Sequence, residues 1–348
     1  MSSDLPALRA HAPLFVSFLT VPHLVAAPDK FRGTATASEV AAAIDVAATK
    51  AGWTCDRAPV ADGGEGLLDA LQAHLGGARR RLVVTGPLGR PVEAEWVLAG
   101  RTAVVEMARA SGLLLAGGPE GNDPMEATTR GTGELISAAV SAGARRVIVG
   151  LGGSATTDGG QGALQVLQPA RLVGIELIVA CDVTTTFTDA AREFGPQKGA
   201  TPGQVALLTR RLERLADLYR GSGVEVTTLP GAGAAGGLAG GLATVGGVLT
   251  NGFELVADVI DLRERVGRAD LVVTGEGRVD EWSFRGKAVG GVVEIADDAG
   301  VEVLVVAGTV LGDPPLAVQS LVDRFGSERA MADPGGCVAE LVAAYLEV

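Results

Sequence analysis

Apolar strands that end in glycine loops constrain this sequence more than any other feature. Five such loops contain a charged side chain: APDKFRG (27–33), ADGGEG (61–66), GLGGSATTDGG (150–160), CDVTTTFTDAAREFGPQKG (181–199) and TGEGRVDEWSFRGK (274–287). Strands that alternate with helices form parallel sheets, in which ligands bind where strands end and helices begin. We therefore expect these loops to meet at one binding edge.

Local signals predict the helices and a change of architecture near residue 80. Thr36 with Glu39, and Thr201 with Gln204, have the spacing of capping boxes at two helix starts. The segment RRLVVTGPLGRPVEAEWVLAGRTAVVEM reads as short antiparallel strands joined by Gly-Pro turns. We expect a two-domain α/β protein. Its Rossmann-like, parallel-sheet domain would combine residues 1–78 and 270–348, and residues 79–269 would form an inserted, mixed α/β domain.

Composition and charge limit the possible binding partners of the protein and its cellular compartment. A net charge of −12 argues against nucleic acid, and no apolar run is long enough to span a membrane. The three cysteines are far apart and odd in number, which favours a reducing cytoplasm over a disulfide framework or a zinc site. We expect a cytoplasmic monomer or homodimer whose first twenty residues are a loosely attached extension or reflect an upstream start.

The loop at 150–160 is a candidate phosphate cradle. Glycine lets backbone N–H groups approach an anion, and the helix that follows adds partial positive charge. The amides of Gly152, Gly153 and Ser154 would hold phosphate oxygens, and Asp158 would face the transferring group or a metal. A tight turn in which Asp158 caps the helix is an equally good interpretation of this loop alone. No GKS or GKT follows the glycines, so this is not a Walker A loop.

Further charged residues lie at the strand ends. The acids Asp62, Asp182, Glu276 and Asp280 could each cap a helix, but together they favour a shared metal or proton-transfer site. An acidic chain that places cations in the same loops is suited to an anionic ligand. Those cations include Lys30, Arg32, Lys198, Arg278 and Lys287.

Other chemistries fit less well. GAGAAGG matches the dinucleotide fingerprint at Gly231, Gly233 and Gly236, but Pro230 precedes it and the acid expected on the next strand is missing. A turn that lines a nucleotide, or that allows close helix packing, is a better interpretation. The histidines lie outside the loops, which argues against a histidine-based triad. Phosphoryl transfer needs cations, positioning and one acid, and these loops supply all three.

Taken together, the motifs resemble the bacterial glycerate kinase family. The resemblance runs from about residue 25 to 308 and rests on APDKFRGTATASEVAAAI, ADGGEG, GPLG, RGTGELISAA, GLGGSATTDGG, VACDV, FGPQKGAT, GAGAAGG and TGEGRVD…GK, in this order. It implies two α/β domains with the active site between them. The implied reaction is ATP- and Mg²⁺-dependent phosphorylation of D-glycerate, generally to 2-phosphoglycerate.

On this resemblance we assign roles to the loop residues. Gly152, Gly153, Ser154 and Lys198 would bind the nucleotide phosphates; Asp182, Glu276 and Asp280 would hold Mg²⁺; Lys30, Arg32 and Arg278 would bind glycerate; and Asp62, Asp158 and Lys287 would be catalytic.

Two segments are shorter than the family usually has, one before Cys181 and one after VACDV. These differences leave a first alternative to the kinase, a catalytically impaired regulatory protein that binds glycerate and nucleotide. The second alternative is an NAD-dependent 2-hydroxy acid dehydrogenase.

Overall fold

The computed structural model describes residues 21–284 and 287–347. The prediction for the N-terminal extension therefore lies outside the described residues. The described strands are β1 (His23–Ala26), β2 (Thr54–Arg57), β3 (Ala78–Thr85), β4 (Pro91–Ala99), β5 (Thr102–Glu106), β6 (Arg146–Gly150), β7 (Glu176–Cys181), β8 (Gly247–Asn251), β9 (Leu271–Val279), β10 (Glu302–Val310) and β11 (Val318–Ser320).

Helices connect most of these strands. They are α1 (Ala37–Lys50), α2 (Leu67–Leu75), α3 (Ala108–Ser111), α4 (Gly118–Gly121), α5 (Arg130–Ser141), α6 (Gln161–Val166), α7 (Pro169–Leu172), α8 (Ala190–Phe194), α9 (Pro202–Tyr219), α10 (Ala234–Ala243), α11 (Gly252–Val259), α12 (Leu262–Val266), α13 (Ala288–Ala299), α14 (Leu321–Phe325), α15 (Ser327–Ala332) and α16 (Pro334–Leu346). Short 3-10 helices span Pro196–Lys198, Arg220–Ser222 and Glu281–Phe284.

The first sheet is parallel and combines strands from both ends of the chain. Its order is β2-β1-β9-β10-β11. Numbered by their place along the chain, the strands of this sheet have the order 2-1-3-4-5, a doubly wound arrangement. The order reverses direction between β1 and β9, and such a switch point leaves a crevice beyond the carboxyl ends of the two strands. The topology therefore places the loops after β1 and β9 at a ligand-binding position.

The second sheet is mixed, with the order β3-β4-β5-β6-β7-β8. The first three strands pair antiparallel, as the Gly-Pro turns predicted. The strands from β5 to β8 are parallel. The loops after β6 and β7 therefore leave this sheet at the same edge.

Both predicted capping boxes are present. The Thr36 side chain accepts from the N–H of Glu39 at the start of α1. Thr201 does the same with Gln204 at the start of α9. At the start of α2 the structure adds a contact that was not predicted: the buried Glu106 of β5 accepts from the N–H groups of Gly66 and Leu68 at 3.0 and 2.8 Å.

A shared layer of helices separates the two sheets. One core cluster joins Val25 of the first sheet and Ile148 of the second to Leu68, Val256 and Val292 of the intervening helices. Separate clusters cover the outer faces of the two sheets. This confirms the α/β fold class with a parallel sheet and a mixed sheet, while the domain boundaries at 78 and 270 stay a prediction. Within the described residues, no helix combines the length and apolarity needed to cross a membrane.

Candidate active site

Loops from both sheets bring five charged side chains together. Lys30 follows β1, Asp62 follows β2, Asp182 follows β7, Glu276 lies on β9 and Lys287 caps α13. We call these five residues the strand-end cluster. Lys30 Nζ lies 3.8 Å from Asp62 Oδ1.

Mutual electrostatic effects show that the cluster is compact. Partial burial and the charge of Asp62 raise the pKa of Asp182, although its side chain also keeps contact with solvent. Burial likewise raises the pKa of Glu276, against the lowering effects of a hydrogen bond to Ser283 and the charge of Lys287. The cluster therefore holds crowded negative charge that its two lysines only partly offset.

Asp29 joins this cluster and was not predicted. Its side chain is 4% exposed, and its Oδ1 accepts from the backbone N–H of Lys30 at 2.6 Å. Burial raises the pKa of Asp29 to about 7, with the charge of Asp62 acting in the same direction and that of Lys30 against it. The signal that could have identified it is the one used for the other acids, a carboxylate just after an apolar strand.

We expect Asp29→Asn to stabilise the protein by about 2–4 kcal/mol at pH 8. Because the folded-state pKa of Asp29 is raised from 3.8 to about 7, the folded protein binds the extra proton and loses stability as pH rises between these values. Asparagine removes that cost and keeps an oxygen for the Lys30 N–H. Urea unfolding at pH 4.5, 6 and 8 measures it.

The matched control for this prediction is Asp45→Asn, which removes a surface carboxylate 3.6 Å from Arg57. Its effect should stay within about 1 kcal/mol at every pH. A gain for Asp29→Asn that is absent, or that does not grow with pH, contradicts the account of its burial.

The 150–160 loop packs against the Asp62 loop. A Cβ on Gly152 would lie 2.5 Å from Cα of Gly64, so only glycine fits this approach. The loop is pinned through the Gly153 carbonyl, which accepts from Leu113 at 2.8 Å, and through the Ala155 N–H, which donates to Ser111 at 3.0 Å. These bonds do not use the amides predicted to hold phosphate, those of Gly152, Gly153 and Ser154. The glycines thus serve loop packing as well as access to the amides.

Two predicted acids are used inside turns. Asp158 is buried, and its carboxylate accepts from Thr129 N–H and Oγ1 at 2.8 Å each, from Gly162 N–H at 3.2 Å and from Gly160 N–H at 3.1 Å. Asp280 Oδ1 accepts from the N–H groups of Trp282 and Ser283. The structure thus places Asp158 in a turn, with one bond from the Gly162 N–H in the first turn of α6, whose N-cap is Gly160.

The remaining predicted cations occupy different environments. Lys198 is buried, and its Nζ donates to Ser154 Oγ at 2.7 Å and to the Thr156 carbonyl at 2.8 Å. Arg32 is 78% exposed and lies 3.8 Å from Glu65. Arg278 is exposed on β9, on a segment joined to the Arg32 loop by a hydrogen bond from Gly277 N–H to Lys30 O. The arginines therefore lie at the rim of the strand-end cluster, whereas Lys198 lies beneath the 150–160 loop.

GAGAAGG lacks the context of a dinucleotide fingerprint. Residues 224–230 before it form no strand, and the segment continues directly into α10. A Cβ on Gly236 would lie 2.0 Å from the Thr156 carbonyl. Its glycines therefore permit close packing against the 150–160 loop, which is one of the two interpretations given from the sequence.

The strand-end cluster has the chemistry to hold a magnesium ion. Glu276 Oε1 is buried without a hydrogen-bond donor among the described residues. No group of three acidic, histidine or cysteine side chains in the described ranges forms a complete metal site. Mg²⁺ bound with phosphates and water needs only one or two carboxylates, which Glu276 and Asp182 can supply.

Comparison with known proteins gives one consistent result. The model of the glycerate kinase family matches residues 24–170 and 166–330. Glycerate 2-kinase of Escherichia coli K12 is 38% identical over 342 residues, covering 87% of this chain and 90% of the relative. Glycerate kinase of Bacillus subtilis 168 is 38% identical over 362 residues, covering 93% and 94%.

A solved structure is similar over nearly the whole fold. The crystal structure described as glycerate kinase 2 from Salmonella typhimurium LT2 superposes with a TM-score of 0.81 at 35% identity, covering 94% of this chain and 98% of that one. The two ranges matched by the family model meet at 166–170, between α6 and β7. This is where the sequence predicted a shortened segment.

Proposed function

We propose that this protein, which belongs to the glycerate kinase family and is a kinase, transfers the γ-phosphoryl group of ATP to the 2-hydroxyl of D-glycerate. The observation that carries the proposal is the strand-end cluster, which joins acids and lysines from both sheets beside a glycine loop that is exposed at Gly153. A phosphoryl donor with an acidic acceptor needs this combination of cations, carboxylates and backbone amides.

We assign a role to each site residue by the part of the substrates that it would contact. The amides of Gly152, Gly153 and Ser154 would receive phosphate oxygens, and Lys287 would stabilise the charge that develops during transfer. Arg32 and Arg278 at the rim, with Lys30, would bind the glycerate carboxylate.

Asp62 is the carboxylate that we propose orients the acceptor hydroxyl. Its side chain is 22% exposed, so it can meet a substrate, and Lys30 lies beside it. From this position it would accept the hydroxyl proton while the oxygen attacks the γ-phosphorus in line with the departing ADP.

Glu276 and Asp182 would hold Mg²⁺, which neutralises charge on the triphosphate when bound. Asp280 and Asp158 would support this site from their turns, Asp280 by holding Ser283. We place the protein in the cytoplasm, because the cysteines Cys55, Cys181 and Cys337 are unpaired in the described structure. Its oligomeric state, monomer or homodimer, stays a prediction.

The experiment is a coupled assay of ADP release with purified protein, ATP and Mg²⁺. We expect turnover with D-glycerate, little with L-glycerate or lactate, and none after EDTA treatment until Mg²⁺ is restored. Binding of glycerate and ATP without turnover would favour the regulatory alternative. A nicotinamide-dependent absorbance change without ATP would favour the dehydrogenase.

A further inference from the structure

The buried side chain of Lys198 supports the 150–160 loop through hydrogen bonds. Its side chain is 4% exposed, and both hydrogen bonds recorded for its Nζ end on this loop, at Ser154 Oγ and at the Thr156 carbonyl. The ring of Phe194 lies 6.0 Å from the same ammonium. Burial lowers the pKa of Lys198 to about 7. An amino group enclosed in this way has given up water for fixed contacts, so its position is tied to the position of the loop.

A second side chain joins the Lys198 backbone to the same loop. Asn122 Nδ2 donates to the Ala155 carbonyl at 3.0 Å and to the Lys198 carbonyl at 2.9 Å. Both ends of Lys198 are therefore connected to three consecutive residues, Ser154, Ala155 and Thr156. The bonds use side-chain and carbonyl oxygens and leave the Ser154 amide for a ligand.

We propose that Lys198 is a positioning residue, which holds Ser154 and Thr156 so that the loop amides meet the phosphoryl oxygens, and that it does not itself bind the nucleotide. The inference rests on the proposed function. It replaces the direct phosphate contact predicted from the sequence, because Lys198 Nζ is buried against Ser154 Oγ and the Thr156 carbonyl. Preorganised amides stabilise developing charge without reorganising, so a loop displaced by about 1 Å costs about 10²-fold in rate.

Lys198→Met keeps the apolar stem and removes both bonds. We expect kcat to fall about 10²-fold while the dissociation constant of ATP changes less than about threefold. The control Lys50→Met, in the last turn of α1, should leave both unchanged.

A double-mutant cycle with Ser154→Ala separates the two roles. If Lys198 acts through Ser154, adding Lys198→Met to Ser154→Ala should cost far less than it does alone. Independent, multiplying effects, or a loss of ATP affinity that accounts for the whole defect, would overturn the proposal.

Hydrogen exchange of the 150–160 segment, without ligand, keeps the test independent of activity. We expect faster exchange there in Lys198→Met than in the unsubstituted protein, and unchanged exchange in the first sheet. If Lys198→Met does not fold, Asn122→Ala should give the same local increase. An unchanged 150–160 segment in a folded variant contradicts the positioning role, even if the protein proves not to phosphorylate glycerate.

Discussion

Asp62→Asn is expected to lower kcat by about 10³-fold and to leave the fold intact. Asparagine keeps an oxygen for the Gly64 N–H, which donates to Asp62 Oδ1 at 3.1 Å, but it removes the charge next to Lys30. A positioned carboxylate that accepts a proton from the attacking group contributes about 10²–10⁴-fold. The pKa values of Asp29, Asp182 and Glu276 are raised chiefly by burial and further by the charge of Asp62. Because the variant removes that charge, thermal stability should be equal or higher.

Steady-state kinetics of Asp62→Asn and Glu65→Gln, measured side by side, provide the check. Glu65 lies in the same loop, but its side chain is 52% exposed and paired with Arg32 across 3.8 Å. Its substitution should change kcat less than about threefold, as the loss of an exposed pair is worth little. Equal effects of the two substitutions would show that Asp62 has no special part in the reaction.

Asp158→Asn is expected to lower the free energy of unfolding by about 3 kcal/mol. The carboxylate accepts four hydrogen bonds inside the protein, and an asparagine NH₂ would face at least one of those donors. Burial already raises the pKa of Asp158, against the lowering effect of Thr129. Turnover should fall as well, because α6 and the end of the 150–160 loop lose their common anchor.

Urea unfolding of Asp158→Asn and Asp333→Asn distinguishes a buried anchor from an ordinary cap. Asp333 Oδ1 accepts from the Gly336 N–H at 2.9 Å at the exposed start of α16, so its loss should cost about 1 kcal/mol and leave activity unchanged. A variant of Asp158 with unaltered stability and a 10³-fold loss of kcat would support the direct catalytic role predicted from the sequence.

The strand-end rule explains why much of the site could be predicted. Carboxyl ends of parallel strands share one edge, so an acid or lysine just after each apolar run must lie near the others. Lys30, Asp62 and Glu276 illustrate this, since β1, β2 and β9 belong to one parallel sheet. Asp182 follows β7 of the second sheet, so its place beside them depends on how the two sheets pack. The same rule applies to Asp29, which precedes Lys30 in the same loop and was not predicted.

The orientation and the burial of the site side chains could not be predicted in the same way. Local spacing leaves Asp158 equally a cap or a ligand and, taken alone, favours Asp280 as a cap. The packed structure shows both carboxylates accepting from backbone N–H groups. Lys198 lies 44 residues from Ser154, so no periodicity reveals that they meet. Glu106 reaches the start of α2 across a similar separation. These contacts depend on how layers pack, which short-range patterns do not encode.

The central claim is that this chain phosphorylates D-glycerate, and phosphorus NMR of the purified protein with D-glycerate, ATP and Mg²⁺ tests it most directly. We expect a 2-phosphoglycerate resonance that grows in step with ADP. A 3-phosphoglycerate resonance would contradict the assigned hydroxyl. The absence of any phosphoglycerate from folded protein would contradict the claim itself.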